Sequence, residues 1–224
     1  QGWAVCINYR EREDCARSLV EQLTGEGCRV MAVQADVACR EQVNTMVRQV
    51  EDAFGPVALL VNNAGVAGQA LFQDITDELW HRYFSVNVDG AYHAIQAVLP
   101  AMLHHHEGCI INTSSICGLI GHMNTPEAYT ATKGAITLLT KSVAARYGKD
   151  NIRCNSIHPA TVDTPFVAAL MADPVKKQAR LNEIPLGRLT SVEDVANAVL
   201  YLASDEASFL NGVNLPIDGG VTCY

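Results

Sequence analysis

The chain has 224 residues, 49% of them hydrophobic and 18% charged, which predicts one α/β domain with a well-buried core and no linker between Gln1 and Tyr224. Its formal net charge of −8, with 24 acidic against 16 basic residues and no basic stripe, argues against nucleic-acid binding. Apolar runs stop far short of the ~20 residues that a membrane span needs. Eight cysteines are scattered without a C-x-x-C pair, so reduced thiols in a cytoplasmic chain without a metal site are expected, with a disulfide or metal framework as the minor alternative.

Trp3 to Asn8 reads as a buried strand, and Tyr9-Arg10 follows its C-terminal end. Glu13 to Thr24 has helical periodicity, with Ala16, Leu19, Val20 and Leu23 on one face, and Gly25 and Gly27 stop it. Arg29 to Gln34 is the next strand, left through Ala35-Asp36-Val37. Val43, Met46, Val47, Val50 and Phe54 mark the core face of a helix from near Arg40 to Gly55-Pro56, which Asp36 could cap.

Val57 to Val61 is a continuous apolar strand ending in Asn62-Asn63-Ala64-Gly65. Small residues at Ala64 and Gly65 let backbone approach a flat ligand, while the Asn amides can tie adjacent strands together; a purely structural turn is the other reading. Thr76 is a predicted N-cap. A long helical stretch follows to His104, with a bend near Asn87, a poor helix former between Val86 and Val88. His104-His105-His106 point in different directions from a helix, so a solvated helix end is expected rather than a metal site.

Cys109 to Thr113 has the β-branched content of a buried strand, and Ser114-Ser115 closes it. Tyr129 and Lys133 open a helix that runs to Tyr147, and their spacing of four puts both on one face. An ammonium beside a phenol favours phenolate, so the Tyr129 pKa is expected to fall from its reference near ~10. Such a group suits proton transfer at an alcohol carbon, and Ser115 can hold the oxygen concerned. The intervening loop must lie over the site, with Ile116, Cys117, Leu119, His122 and Met123 as pocket candidates. Ala135, Leu138, Leu139, Ser142 and Val143 are expected to face neighbours.

Ile152 to Ile157 is the following strand, leading into His158-Pro159-Ala160-Thr161-Val162-Asp163-Thr164. The segment from Phe166 to Leu186 has mixed polarity, breaks at Pro174 and Pro185 and no clean periodicity, so a mobile substrate-selecting lid with Phe166 in the pocket is expected. Ser191-Val192-Glu193-Asp194 starts a helix that runs to Leu202. Gly212 to Ile217 is the last strand, before an Asp218-Gly219-Gly220 turn.

Ser115, Tyr129-x-x-x-Lys133, Asn62-Asn63-Ala64-Gly65 and Asn87, in this order along a strand-helix alternation, resemble the short-chain dehydrogenase/reductase family. The resemblance implies a Rossmann-like, doubly wound parallel sheet in a three-layer α/β/α domain that moves hydride between NAD(P)H and a carbonyl. It assigns catalysis to Asn87, Ser115, Tyr129 and Lys133, with Ser114 a weaker alternative to Ser115. Asn87 would break helical hydrogen bonding and hold a water. Asp36 and Val37 would meet the adenine, and Asn63, Ala64 and Gly65 the adenosine half. Pro159, Ala160, Val162 and Thr164 would hold the nicotinamide, with Tyr129 and Lys133 touching its ribose. Ala160 stands where glycine is usual, so a cost of order 1 kcal/mol is expected if that position needs positive φ.

Tyr9 occupies the place of the acid that binds an NAD ribose, and Arg10 follows, which favours NADP(H) with NAD(H) also possible. The family's opening strand and Gly-rich turn have no counterpart here, and roughly 25 residues are expected to be missing ahead of Gln1. Ile184-Pro185-Leu186-Gly187-Arg188 resembles 3-oxoacyl-carrier-protein reductases, yet His106 and Asp150 stand where their docking arginines would. A small free carbonyl or alcohol is therefore the first expectation. A carrier-bound 3-oxoacyl group is second and a sugar third, with a catalytically silent assembly subunit as the alternative of another class. The family forms dimers and tetramers, and the same is expected here.

Overall fold

The computed structural model describes residues 2–68, 70–123, 125–165 and 167–223. At its centre is β4 (Gly108–Thr113), whose apolar residues serve two cores in alternation. Ile110 belongs to one cluster and Cys109 and Ile111 to another, because successive side chains on a strand point to opposite faces. Both faces of the strand are covered, so a continuous apolar run replaces the usual polar alternation.

Parallel partners flank it in the order β3 (Leu59–Asn62), β4, β5 (Ile152–Pro159) and β6 (Asn214–Ile217). The register runs from Leu59↔Cys109 and Gly108↔Ile152 to Pro159↔Ile217. A second parallel pair, β1 (Val5–Tyr9) and β2 (Val30–Gln34), runs in register from Val5↔Val30 to Tyr9↔Gln34. Among the described residues, β1 and β3 are not hydrogen-bonded to one another. Their facing edges line an apolar cavity of about 830 Å³, reached by Val5, Leu59, Val61 and Val86.

Helices cover both faces. On one, α2 (Arg40–Phe54), α4 (Gly90–His105) and α5 (Glu127–Tyr147) bury Val47, Ile95, Val98, Met102, Val143 and Ala144 against Ile110, Ile152 and Cys154. On the other, α8 (Val192–Ala203) packs Val195, Ala198, Val199 and Leu202 against Cys109, Ile111 and Ile157. The architecture is the three-layer, doubly wound parallel sheet that the resemblance implies. α1 (Glu13–Gly25) packs on β1 and β2, but Ala16 alone of its expected face is buried and Leu19 is exposed.

Chain punctuation follows the sequence where side chains act locally. Thr76 accepts a hydrogen bond from Leu79 N and caps α3 (Asp77–Phe84). Ser191 and Asp194 form a reciprocal capping box on α8. The bend at Asn87 is a π-turn, Ser85–Asp89, between α3 and α4.

Three expectations are corrected. Asp36 does not cap α2, whose N-cap is Cys39; its carboxylate accepts from Ala38 N and shapes the turn before the helix. The segment expected to be irregular contains α6 (Ala168–Met171) and α7 (Pro174–Asn182). Asp173 caps α7 by accepting from Val175 N and Lys176 N, with Pro174 in the first turn, so the Asp-Pro pair was a start signal and not a break. On α5, Leu138 is exposed while Ile136, Thr137, Thr140 and Val143 form the buried face.

Candidate active site

The C-terminal ends of parallel strands gather the predicted residues on one rim, where open α/β sheets place ligands. Asn62 Nδ2 donates to Asn112 Oδ1 at 2.9 Å, and Thr113 Oγ1 donates to Asn63 Oδ1 at 3.3 Å. These bonds tie the ends of β3 and β4 together, as the Asn pair suggests. Asn63, Ala64 and Gly65 are exposed beyond them. A Cβ added at Gly65 would lie 3.3 Å from Asn87 Oδ1 and 3.7 Å from Lys133 Nζ, so this turn lies directly on the catalytic candidates.

Ser114 and Ser115 part company. Buried Ser114 donates its hydroxyl proton to Lys133 O at 2.9 Å and so locks β4 to α5. Ser115 caps a 3₁₀ turn (Ile116–Gly118), its Oγ accepting from Cys117 N at 3.2 Å. Its hydroxyl is near enough to the Tyr129 phenol to pull that group's pKa down against burial. The turn sits so close to α5 that a Cβ at Gly118 would come within 2.7 Å of Lys133 O. Ser115 is therefore the serine that faces Tyr129.

Lys133 is buried, and its Nζ donates to Thr113 O at 2.7 Å. That ammonium lies 5.5 Å from the centroid of the Tyr129 ring. Desolvation pushes the Tyr129 phenol up to about 12, reinforced by the Cys117 sulfur and opposed by the Ser115 hydroxyl. The expected fall is thus corrected: loss of water on burial dominates the Tyr129 phenol, while the Lys133 ammonium is engaged with the Thr113 carbonyl. Burial likewise brings Lys133 down to about 8. The phenol is consequently protonated at neutral pH and able to give a proton.

Asn87 is buried, and its side chain is consumed by protein partners. Oδ1 accepts from Val66 N at 2.7 Å, while Nδ2 donates to Val66 O and to Thr132 Oγ1, both at 3.0 Å. Its side-chain amide therefore holds the loop after β3.

On the outer rim, Arg10 is paired with Glu11 and reaches within 4.0 Å of Asp36 Oδ2. Tyr9 closes β1, and Val37 O lies 3.0 Å from His93 Nδ1. Pro159 ends β5, and Ala160 N donates to Ile217 O at 3.1 Å. Among the described residues, only His106 and Asn151 are non-glycine residues with positive φ, so Ala160 does not incur the expected backbone cost. Val162 bridges to Thr190, and Thr164 Oγ1 donates to Val162 O at 3.4 Å.

The pocket candidates separate. Ile116 and Cys117 are buried in the 3₁₀ turn. His122 is largely shielded from solvent, but Met123 is 98% exposed and is corrected as a pocket residue. Phe166 lies outside the described residues. Leu119 is exposed as well.

One cluster has no counterpart in the sequence reading. Glu183 Oε2 lies 3.0 Å from Arg180 Nη1 and 3.3 Å from His122 Nε2. Thr125 Oγ1 lies 3.2 Å from His122 Nδ1 and accepts from Cys117 Sγ at 3.4 Å. A polar chain thus runs from beside Ser115 to the C-terminal end of α7. Its visible signal was Arg180 three residues before Glu183, a spacing that juxtaposes side chains on a helix.

Among the described residues, no group of His, Cys, Asp and Glu could hold a metal ion, and all eight cysteines are free. No described helix is long and apolar enough to cross a membrane.

A family model described as enoyl-(acyl carrier protein) reductase matches residues 1–222. A 3-oxoacyl-[acyl-carrier-protein] reductase of Staphylococcus epidermidis is 35% identical over 221 residues, covering 99% of this chain and 89% of that protein. An L-rhamnose 1-dehydrogenase (NAD(P)(+)) of Sphingomonas is 37% identical, covering 98% and 87%. In structure, a gluconate 5-dehydrogenase from Burkholderia cenocepacia, solved with NADP and tartrate, superposes with a TM-score of 0.93 at 32% identity, covering 99% of this chain and 86% of that one. With the serine, tyrosine and lysine converging on one strand rim and this likeness running the length of the chain, the protein belongs to the short-chain dehydrogenase/reductase family of oxidoreductases acting on CH–OH and C=O groups.

Proposed function

We propose that the chain interconverts a small ketone or aldehyde and the corresponding alcohol with NADP(H), in a cytoplasmic homotetramer or homodimer. The observation that carries this is the meeting of Ser115, Tyr129 and Lys133 at the carboxyl rim of the sheet. When bound, the nicotinamide supplies or takes up the hydride. Lys133 suits its ribose, since an ammonium has three N–H donors and one goes to Thr113 O. Asn63 to Gly65, Asp36, Val37 and the segment from Pro159 to Thr164 would hold the remainder. Arg10, at the end of β1 beside Tyr9, would exchange Glu11 for the 2′-phosphate, and this favours NADP(H) over NAD(H).

In the reductive direction the Ser115 hydroxyl holds the substrate oxygen, and Tyr129, protonated with its pKa near 12, delivers a proton to it. The resulting phenolate is stabilised by the Ser115 hydroxyl and the Lys133 ammonium. Asn87 keeps the Val66 loop in place beside them.

A second reading, reduction of a carrier-bound 3-oxoacyl group, is favoured by the name of the Staphylococcus relative. A net charge of −8 opposes it, as do His106 and Asp150 at the positions expected to dock an acidic carrier. Sugar oxidation, the activity named for the Sphingomonas relative, is the third.

The test is a panel of cyclopentanol, L-rhamnose, gluconate and an acyl-carrier 3-oxoester with both cofactors, followed by nicotinamide absorbance and by cofactor fluorescence. Turnover of a free small substrate with NADP(H) is expected. Binding of neither cofactor would establish the silent-subunit reading instead.

A further inference from the structure

His158, on β5 just before Pro159, is completely buried. Its Nδ1 lies 2.8 Å from the main-chain oxygen of Ser115, and its Nε2 lies 2.8 Å from Ser156 Oγ. Ser156 Oγ in turn lies 2.9 Å from Asn214 Oδ1 on β6. A carbonyl oxygen only accepts, so Nδ1 must carry a proton. Burial, with help from the Lys133 charge, lowers the ring's pKa from 6.5, which leaves the imidazole neutral at pH 7. Nε2 is then an acceptor and takes the one Ser156 hydroxyl proton. The Asn214 amide must accordingly present its NH₂ to Ser156 Oγ, an orientation that the hydrogen-bond network decides.

The Ser115 carbonyl therefore receives two donors, His158 Nδ1 and Gly118 N at 2.9 Å. Ser114 N, one residue earlier, donates to Ile157 O at 2.9 Å. The main chain around Ser115 is thus pinned from β5 by two consecutive residues, Ile157 and His158. Ordinary sheet pairing accounts for the first contact; the second is made by a buried side chain that needs a particular tautomer.

We propose that His158 is a positioning residue for Ser115: its Nδ1–H fixes the Ser115–Ile116 peptide plane and so aims the Ser115 hydroxyl at the substrate oxygen beside Tyr129. The ring is completely buried and its two nitrogens are engaged by Ser115 O and Ser156 Oγ, so it acts through Ser115. The inference rests on the oxidoreductase reading for its kinetic half, whereas its tautomeric half stands without activity.

Long-range ¹⁵N–¹H correlation spectra should show His158 as the neutral Nδ1–H tautomer at pH 7; an Nε2–H tautomer would overturn the proposal. For the kinetic half, the best substrate of the panel is used as probe. His158→Leu keeps the volume and removes the donor, so kcat should fall at least about tenfold with the KM for NADPH held within about twofold. His158→Asn places an N–H where Nδ1 was and should recover most of kcat. Should the leucine variant fail to fold, His158→Gln, whose amide reaches the Nε2 position instead, takes its place with the same expected loss. Full activity in the donor-less variant, or equal losses in the asparagine and donor-less variants, would overturn the role. An inactive wild type would refute the oxidoreductase reading while leaving the tautomer measurement to decide this one.

Discussion

Asn87 and the Val66 backbone exchange two hydrogen bonds, Val66 N–H to Oδ1 at 2.7 Å and Nδ2 to Val66 O at 3.0 Å. A side-chain amide here mimics a strand partner and seals a loop that would otherwise leave a donor and an acceptor unpaired. Asn87→Ala should lower stability by about 1–3 kcal/mol in urea unfolding. Asn87→Asp should lose as much, because a carboxylate has no donor for Val66 O. A variant as stable as the wild type would show that water replaces the amide.

Tyr129→Phe removes the proton while keeping the ring. Turnover should fall at least ~10²-fold, and Ser115→Ala should fall by a similar factor, whereas NADPH affinity measured by fluorescence should change little. The same reasoning makes Ser114→Ala a stability variant, since Ser114 spends its hydroxyl on Lys133 O. Comparable turnover in Tyr129→Phe and wild type would refute the assignment of the acid.

Lys133 sets a pH dependence whose sign can be worked out. Its folded pKa, about 8, lies below the ordinary 10.5, so between these values the unfolded chain holds more protons and stability rises with pH. Below pH 8 both states are protonated and the penalty for the buried ammonium is constant. Lys133→Met should therefore be more stable than wild type by about 1–2 kcal/mol at pH 7, with the gap closing towards pH 10.5. Denaturation midpoints at pH 7 and pH 10 in the cofactor-free protein measure it, and an unchanging gap would contradict the burial argument.

His122, Arg180 and Glu183 join the loop after Ser115 to the end of α7. Both His122 and Arg180 are largely shielded from solvent, so their coupling should exceed that of an exposed pair. A double-mutant cycle of Arg180→Met with His122→Phe should give about 1 kcal/mol of interaction in substrate kcat/KM. NADPH affinity should be unaffected in both single variants. Additive effects would mean that the cluster does not act as a unit.

Arg10 is half exposed at the end of β1 and neighbours Glu11 and Asp36. Replacing Arg10 by Ala should weaken NADP(H) by at least about tenfold and leave NAD(H) nearly unchanged. Adding Tyr9→Asp, which supplies an acceptor for the ribose hydroxyl, should move the preference to NAD(H). Kinetics with the two cofactors read the ratio directly; equal losses for both would show that the arginine contacts no phosphate.

Much of this protein is legible in its sequence. Short-range physics made it so: the apolar run of β4, the Ser191–Asp194 box and the four-residue step from Tyr129 to Lys133 carry their geometry within a few residues of chain. The helix at Pro174 is legible too, since Asp173 before Pro174 is an N-cap signal. What sequence could not supply were quantities set by the surroundings. The protonation of Tyr129 depends on how much water the fold excludes, and that reversed the direction expected from its lysine neighbour.

Partners distant in the chain form the other class: Asn87 with Val66, His158 with Ser115, His122 with Glu183. Composition and periodicity determined the alternation of strands and helices, because these declare themselves through local spacing, and the resemblance carried by Ser115, Tyr129 and Lys133 implied the parallel sheet with those residues at its rim. Only the tertiary structure decided which serine faces the phenol and which buried groups hold it there, because hydrogen bonding and desolvation depend on contacts between segments that the linear order does not bring together.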